Sequence, residues 1–173
     1  NLNPRLFSEQ LIYIINHAND KILIIDLDLV PIIEKIILDC PNVEKLVILC
    51  SKADLPSTKF SEVISYEELL SMGSENFEWI KGEETDACGI CYTSGTTGNP
   101  KGVVYTHRSN TLHALTQAAP DMLNLSSTDT IMPVVPLFHA NGWSIAYTAP
   151  LVGSSIVFPG GDLSPSSLYD MLE

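Results

Sequence analysis

The eleven residues YTSGTTGNPKG, Tyr92 to Gly102, hold four small hydroxyl side chains, three glycines, a proline and a lysine. That composition suits neither a buried helix nor a buried strand. Backbone amides in a glycine-rich turn can converge on a phosphate because no Cβ blocks the approach. Thr93, Ser94, Thr96 and Thr97 add hydroxyl donors, and a hydroxyl can also sit on a phosphate-bound Mg2+. Lys101 brings a positive point charge, and Pro100 stiffens the exit. A solvated hairpin loop would favour the same Thr, Gly, Asn and Pro. A plain turn, however, needs only about two to five residues.

Better-known nucleotide signatures fail here, and their failure narrows the chemistry. A Walker A loop needs Gly-Lys-Ser/Thr and a helix beneath the phosphates. In this chain Pro100 precedes Lys101, Gly102 follows it, and VVYT continues as a strand. No GxGxxG opens a helix, as a dinucleotide site would require. The pattern therefore predicts a phosphate loop between two strands, with any Mg2+-side hydroxyl drawn from Thr93 to Thr97. A serine hydrolase using Ser94 would need a GxSxG elbow, and YTSGT lacks the first glycine.

The elements that must position this loop alternate in type. A helix is expected from about Pro4 to Ala18, with Leu6, Leu11, Ile14, Ile15 and Ala18 as its apolar face. KILIID reads as a strand, VPIIEKIILDC as a helix and VEKLVILC as a second strand. Ser65 with Glu68 predicts a capping box before YEELLSM, and the stretch from Gly73 to Glu84 reads as irregular. DACGICYT, a buried strand by pattern, runs into the loop, and GVVYT leaves it. HRSNTLHALTQAA follows as a helix, TDTIMPVVP as a strand, ANGWSIAYTAPLV as a helix and SSIVF as a strand, before a last helix opened by Ser164-Pro165. Strands separated by helical patterns predict an α/β fold of βα units with a largely parallel sheet. No repeat or internal boundary interrupts residues 1–173, so a single domain is expected.

Charge and cysteine usage bound the partners. The chain of 173 residues carries a net charge of −12, and 16 of its 21 acidic residues precede the loop. Duplex nucleic acid and anionic membrane are therefore disfavoured as main partners. The loop itself, with Lys101 and Arg108 near, can still receive an anion. No apolar run approaches a membrane span, since Asp26, Asp28, Pro31 and Glu34 interrupt the most hydrophobic stretch. Four cysteines without a secretory signal predict reduced thiols and a cytoplasmic location. Cys88 and Cys91 form a CxxC, but Cys40 and Cys50 supply no second pair at zinc spacing. They read as two small apolar strand residues. The sequon at Asn124 carries no weight without secretion.

The loop YTSGTTGNPKGV resembles the signature loop of adenylate-forming enzymes, the superfamily of acyl-CoA synthetases, luciferases and peptide-synthetase adenylation domains. NPRLFSEQLIYIINHANDKILIID before it, VVYTHRS after it and PVVPLFHANGW beyond extend the resemblance to the medium- and long-chain fatty acyl-CoA synthetase branch over nearly the full chain. The resemblance implies a partial AMP-binding domain, an incomplete portion of the synthetase N-terminal domain, with the small C-terminal domain absent. It implies a two-step reaction: a carboxylate attacks the α-phosphate of Mg·ATP, pyrophosphate leaves, and the thiol of coenzyme A captures the acyl-adenylate. Thr93 would be the Mg2+-side hydroxyl, while Ser94, Gly95, Thr96, Thr97 and Gly98 would cradle the phosphates and Lys101 would reach them.

A second motif spans residues 136–143, PLFHANGW. By pattern alone His139 reads as a capping or core histidine, and Trp143, four residues on, as core at helical spacing. The resemblance reverses both readings. It puts His139 between the nucleotide and the acid's carboxylate, Ala140 behind the adenine, and Trp143 at the gate of an acyl tunnel. Phe138-His139-Ala140 lacks the Asp that peptide-synthetase domains use for an amino group, which disfavours amino-acid substrates. His107 and Arg108 are expected to cap and close the next helix, and His17 and His113 to be structural. The later motifs of the superfamily, including the adenylation lysine, do not occur before Glu173.

Both ends are expected to be cuts, since the chain starts at Asn1 without Met and LSPSSLYDMLE stops within a helical pattern. Three further expectations follow from the resemblance: fatty acid, ATP and coenzyme A as partners, a homodimeric parent protein, and no turnover by this chain alone. The competing readings are an acyl- or aryl-CoA ligase of other specificity and a non-catalytic nucleotide-binding fragment.

Overall fold

A computed structural model describes residues 1–93 and 98–173. The described chain falls into two compact units. One comprises Leu2–Lys81 with Tyr92–Gly102, the other Gly82–Cys91 with Val103–Glu173 and Asn1.

In the first unit, helix α1 (Ser8–Ala18) precedes strand β1 (Ile22–Asp26), helix α2 (Val30–Ile36), strand β2 (Lys45–Leu49), strand β3 (Val63–Ser65) and helix α3 (Tyr66–Ser71). The strands pair parallel in the order β1-β2-β3, with Ile24 opposite Val47 and Val47 opposite Ile64. Leu11 and Ile15 of α1, Ile33 and Ile36 of α2, and Leu23, Ile25, Leu46 and Ile48 of the sheet form one apolar core. Alternation along β1 sends Leu23 and Ile25 inward and leaves Ile22 and Ile24 exposed.

Three details of this unit differ from the sequence pattern. Helix α1 starts at Ser8, not Pro4. Asn3 to Leu6 form a separate turn, in which the Asn3 side chain accepts from the Arg5 amide at 3.0 Å and the Asn3 carbonyl from Leu6, and Phe7, extended at ψ 152°, parts it from the helix. Strand β3, absent from the expected elements, is built from Val63, Ile64 and Ser65. Ser65 caps α3 by accepting from the Glu68 amide at 3.2 Å, but the reciprocal half of the box is not made. Glu68 instead pairs with Lys52 at 3.0 Å.

Strand β4 (Ala87–Thr93) enters the loop and β5 (Lys101–Thr106) leaves it, the two pairing as a separate ribbon. This ribbon is exposed along most of its length, with Ile90, Val103 and Val104 all accessible. DACGICYT is thus a strand but not a buried one. Cys91 is inside, whereas Cys88 is exposed.

In the second unit helix α4 (His107–Ala118) follows β5 directly. Its cap is Thr106, not His107: Thr106 Oγ1 accepts from the Ser109 amide at 3.1 Å, and Ser109 Oγ answers by accepting from the Thr106 amide at 2.9 Å. Arg108 pairs with Glu84 at 2.8 Å. Strand β6 (Thr130–Ile131) pairs parallel with β7 (Ser155–Ile156). Between them lie the short turn α5 (Ala140–Trp143) and helix α6 (Ile145–Val152), and α7 (Pro165–Leu172) closes the chain with Ser164 as its cap. The fold is α/β with parallel strand pairing.

Candidate functional site

The loop and the second motif fall in different units, and each has its own geometry. Ser94, Gly95, Thr96 and Thr97 lie outside the described residues. At the loop's base Thr93 ends β4 with its side chain exposed, and its hydroxyl approaches the Lys101 carbonyl at 3.5 Å. Lys101 is itself exposed. Gly98 sits at φ +95°, a conformation L side chains rarely adopt, and a Cβ there would meet no atom of the described residues within 4 Å. A backbone held at positive φ favours glycine, which also lets a ligand approach the chain closely. Pro100 is buried.

One contact at this base was not anticipated. The Tyr92 hydroxyl lies 2.7 Å from Nδ1 of His17. The His17 ring stacks on Tyr13 at 5.2 Å and meets Tyr92 edge-on at 5.8 Å. Burial holds the Tyr92 hydroxyl above the usual phenol range, and Asp20 and Tyr13 act in the same direction. The phenol therefore keeps its proton.

The second motif has an unusual backbone. Ala140, Asn141, Gly142, Trp143 and Ser144 all take positive φ, between 42° and 65°. The expected continuous helix over ANGWSIAYTAPLV is therefore broken: α5 winds left-handed, and the right-handed helix begins at Ile145. Each non-glycine residue in this region costs roughly 1–2 kcal/mol, so the turn must be held by its neighbours. Ser144, buried, gives its carbonyl to Thr148 Oγ1 at 3.0 Å, and Asn141 Oδ1 takes the Cys91 thiol at 3.7 Å.

His139 precedes this turn with its ring exposed, makes no side-chain capping bond and lies at 5.2 Å from the Phe138 ring. Ala140 is exposed, and Trp143 leaves 60% of its surface accessible. Neither His139 nor Trp143 is a core residue. Trp143 and Ala140 line a cavity of about 340 Å³ whose other wall includes Tyr105, Asn110, His113 and Gln117. His113, expected to be structural, thus borders open space, its Nε2 3.5 Å from the Gln117 amide nitrogen. Asn110 is nearly buried and donates to the Cys88 sulfur at 3.1 Å. These α4 residues at i, i+3 and i+7 spacing from Asn110 would have been readable as one helix face, had the ends of that face been apolar.

Among the described residues, no group of three or more His, Cys, Asp or Glu side chains could hold a metal ion. No helix of the described chain is long and apolar enough to cross a membrane.

The chain belongs to the AMP-binding enzyme family, whose pattern matches residues 1–173. It is 47% identical over 171 residues to a medium-chain-fatty-acid–CoA ligase of Ectopseudomonas oleovorans, covering 99% of this chain and 31% of that protein. It is 41% identical to a 3-methylmercaptopropionyl-CoA ligase of Ruegeria pomeroyi, covering 99% of this chain and 32% of that one. Its fold matches the crystal structure of a long-chain-fatty-acid–CoA ligase from Archaeoglobus fulgidus with a TM-score of 0.78 at 29% identity, over 99% of this chain and 32% of that structure. The chain spans about a third of the length of these relatives.

Proposed function

We propose that this chain forms the phosphate-loop portion of an ATP-dependent acid–thiol ligase, which adenylates a fatty acid and passes the acyl group to coenzyme A. The observation that carries this reading is the 47% identity to a medium-chain-fatty-acid–CoA ligase across 99% of the chain, a span that takes in both motifs. In this reading residues 1–173 are one partial AMP-binding domain of a cytoplasmic, homodimeric enzyme, and the adenylation lysine belongs to a small C-terminal domain.

The roles follow from the side chains. Ser94, Gly95, Thr96, Thr97 and Gly98 cradle the β- and γ-phosphates, and Lys101, exposed, adds charge as pyrophosphate departs. Thr93, exposed at the strand end, would offer its hydroxyl to a phosphate-bound Mg2+. When bound, Mg2+ offsets the negative charge building on the leaving group. His139 lies between nucleotide and carboxylate and orients the attacking oxygen, Ala140 backs the adenine, and Trp143 gates the acyl cavity. The protein's contribution is position and charge, with no covalent intermediate on a side chain.

Acid-dependent ATP–pyrophosphate exchange by the whole ligase, across short, medium, long and aryl acids, tests the reading. Exchange with medium or long chains supports it. Absence of exchange with every acid, from folded protein that binds ATP, leaves only a nucleotide-binding role. The 41% identity to a 3-methylmercaptopropionyl-CoA ligase favours a second reading, a ligase for a short thioether acid, and preference for that acid would select it. The chain alone, at about a third of its relatives' length, is expected to turn over no acid.

A further inference from the structure

We propose that His17 and Tyr92 form a tether that positions the phosphate loop, with α1 as its fixed post. The inference rests on the ligase reading above and adds two residues to its machinery, neither of them placed on substrate. Helix α1 is immobilised by Leu11, Ile14 and Ile15, all buried. Its last turn is fixed by Asn16, whose amide donates to the Asp39 carbonyl at 2.9 Å, and by Asn19, whose left-handed cap returns its amide to the Asn16 carbonyl. His17 therefore projects from a rigid element. Its Nδ1 meets the Tyr92 hydroxyl at 2.7 Å, and Tyr13 stacks on the imidazole from the same helix.

Tyr92 is the residue directly before Thr93, so the contact fixes the β4 end of the loop where the candidate Mg2+-side hydroxyl begins. A glycine-rich loop has many conformations, and each anchored residue at its base reduces the number competing with the ATP-binding one. The pairing is also insensitive to the protonation of His17. A phenol both donates and accepts, so Nδ1 can take the Tyr92 proton or give its own to the phenol oxygen. The exposed ribbon around Tyr92 supplies little burial to do the same work. One short hydrogen bond and one edge-on ring contact join this strand end to α1.

The test uses the whole ligase and steady-state kinetics with ATP and the preferred acid varied separately. Tyr92→Phe removes only the hydroxyl, and His17→Ala removes its partner. Each should raise the KM for ATP about two- to tenfold, with the KM for the acid unchanged. The double variant should be no worse than the worse single one, since both remove the same contact. His17→Asn, whose amide oxygen stands where Nδ1 does, should restore much of the loss. A defect confined to folding would instead lower the active fraction, and so kcat, at constant KM. Wild-type ATP affinity in both single variants, or losses that multiply in the double variant, would overturn the tether while leaving the ligase reading intact. A wild-type enzyme with no exchange on any acid would overturn both.

Discussion

Residues 2–81 and residues 103–173 bury different kinds of side chain. The first stretch hides Ile14, Ile15, Ile36, Ile37, Leu46 and Ile48 at 2% exposure or less, and only Ser65 among polar residues. The second hides Ala114, Ile145 and Ala149 together with Asn110, Ser144 and Thr148. Large branched side chains stabilise by the apolar area they remove from water, about 1.5–3 kcal/mol each. Small and polar ones contribute little area and must be held by hydrogen bonds, as Thr148, Asn110 and Asn141 are. The unit carrying α1 and the loop's base is thus a scaffold. The unit carrying the second motif gives up packing for a cavity and for a left-handed turn beside it.

The largest effect that would test this contrast is Ile48→Ala. A fully buried position in a branched core should lose about 2–5 kcal/mol, read by chemical denaturation. A loss no greater than that of an exposed site would erase the distinction. Ala149→Leu tests the other side: with Ala149 at 0% exposure, the added bulk should cost about 1–3 kcal/mol. A neutral result would mean that the second unit has slack, and that its small residues are not there for close packing.

The smallest effect separates the units by the sign of a pH slope. Burial holds the Asp20 carboxyl of the first unit above the usual range. Hydrogen bonds from Ser126 hold the exposed Asp129 of the second below it. A lowered carboxyl stabilises above its unfolded pKa and loses that stabilisation as pH falls through the folded one; a raised carboxyl does the reverse, costing stability as pH rises. Thermal melting from neutral to acid pH should show Asp129→Asn removing a loss on acidification and Asp20→Asn removing a gain. Identical slopes in both variants and wild type would refute the assignment.

What could be read in the sequence was whatever is local. Strands β1 and β2 announce themselves by runs of Ile, Leu and Val, and α4 by its length. The loop did so by composition alone, and PLFHANGW by its likeness to a known motif. Strand β3 could not be read, because three residues carry no period and exist as a strand only through pairing with β2. The left-handed turn escaped as well: Ala140 and Trp143 are not residues that signal positive φ. The start of α1 escaped too, because Phe7 takes an extended backbone that its residue type does not signal. The His17–Tyr92 contact joins residues 75 positions apart, and no spacing rule reaches that far. The roles of Thr93, Lys101 and His139 rest on chemistry and likeness.

The two thiols of β4 have a practical consequence. Residues three apart on a strand face opposite ways and lie about 10 Å from each other, whereas a disulfide needs Cα atoms within about 7 Å. Cys88 and Cys91 cannot close on each other while β4 holds. Cys88 is also the one cysteine of the four that is exposed. A maleimide fluorophore would therefore settle first at Cys88, five residues from Thr93, leaving a reporter of nucleotide arrival already written into the chain.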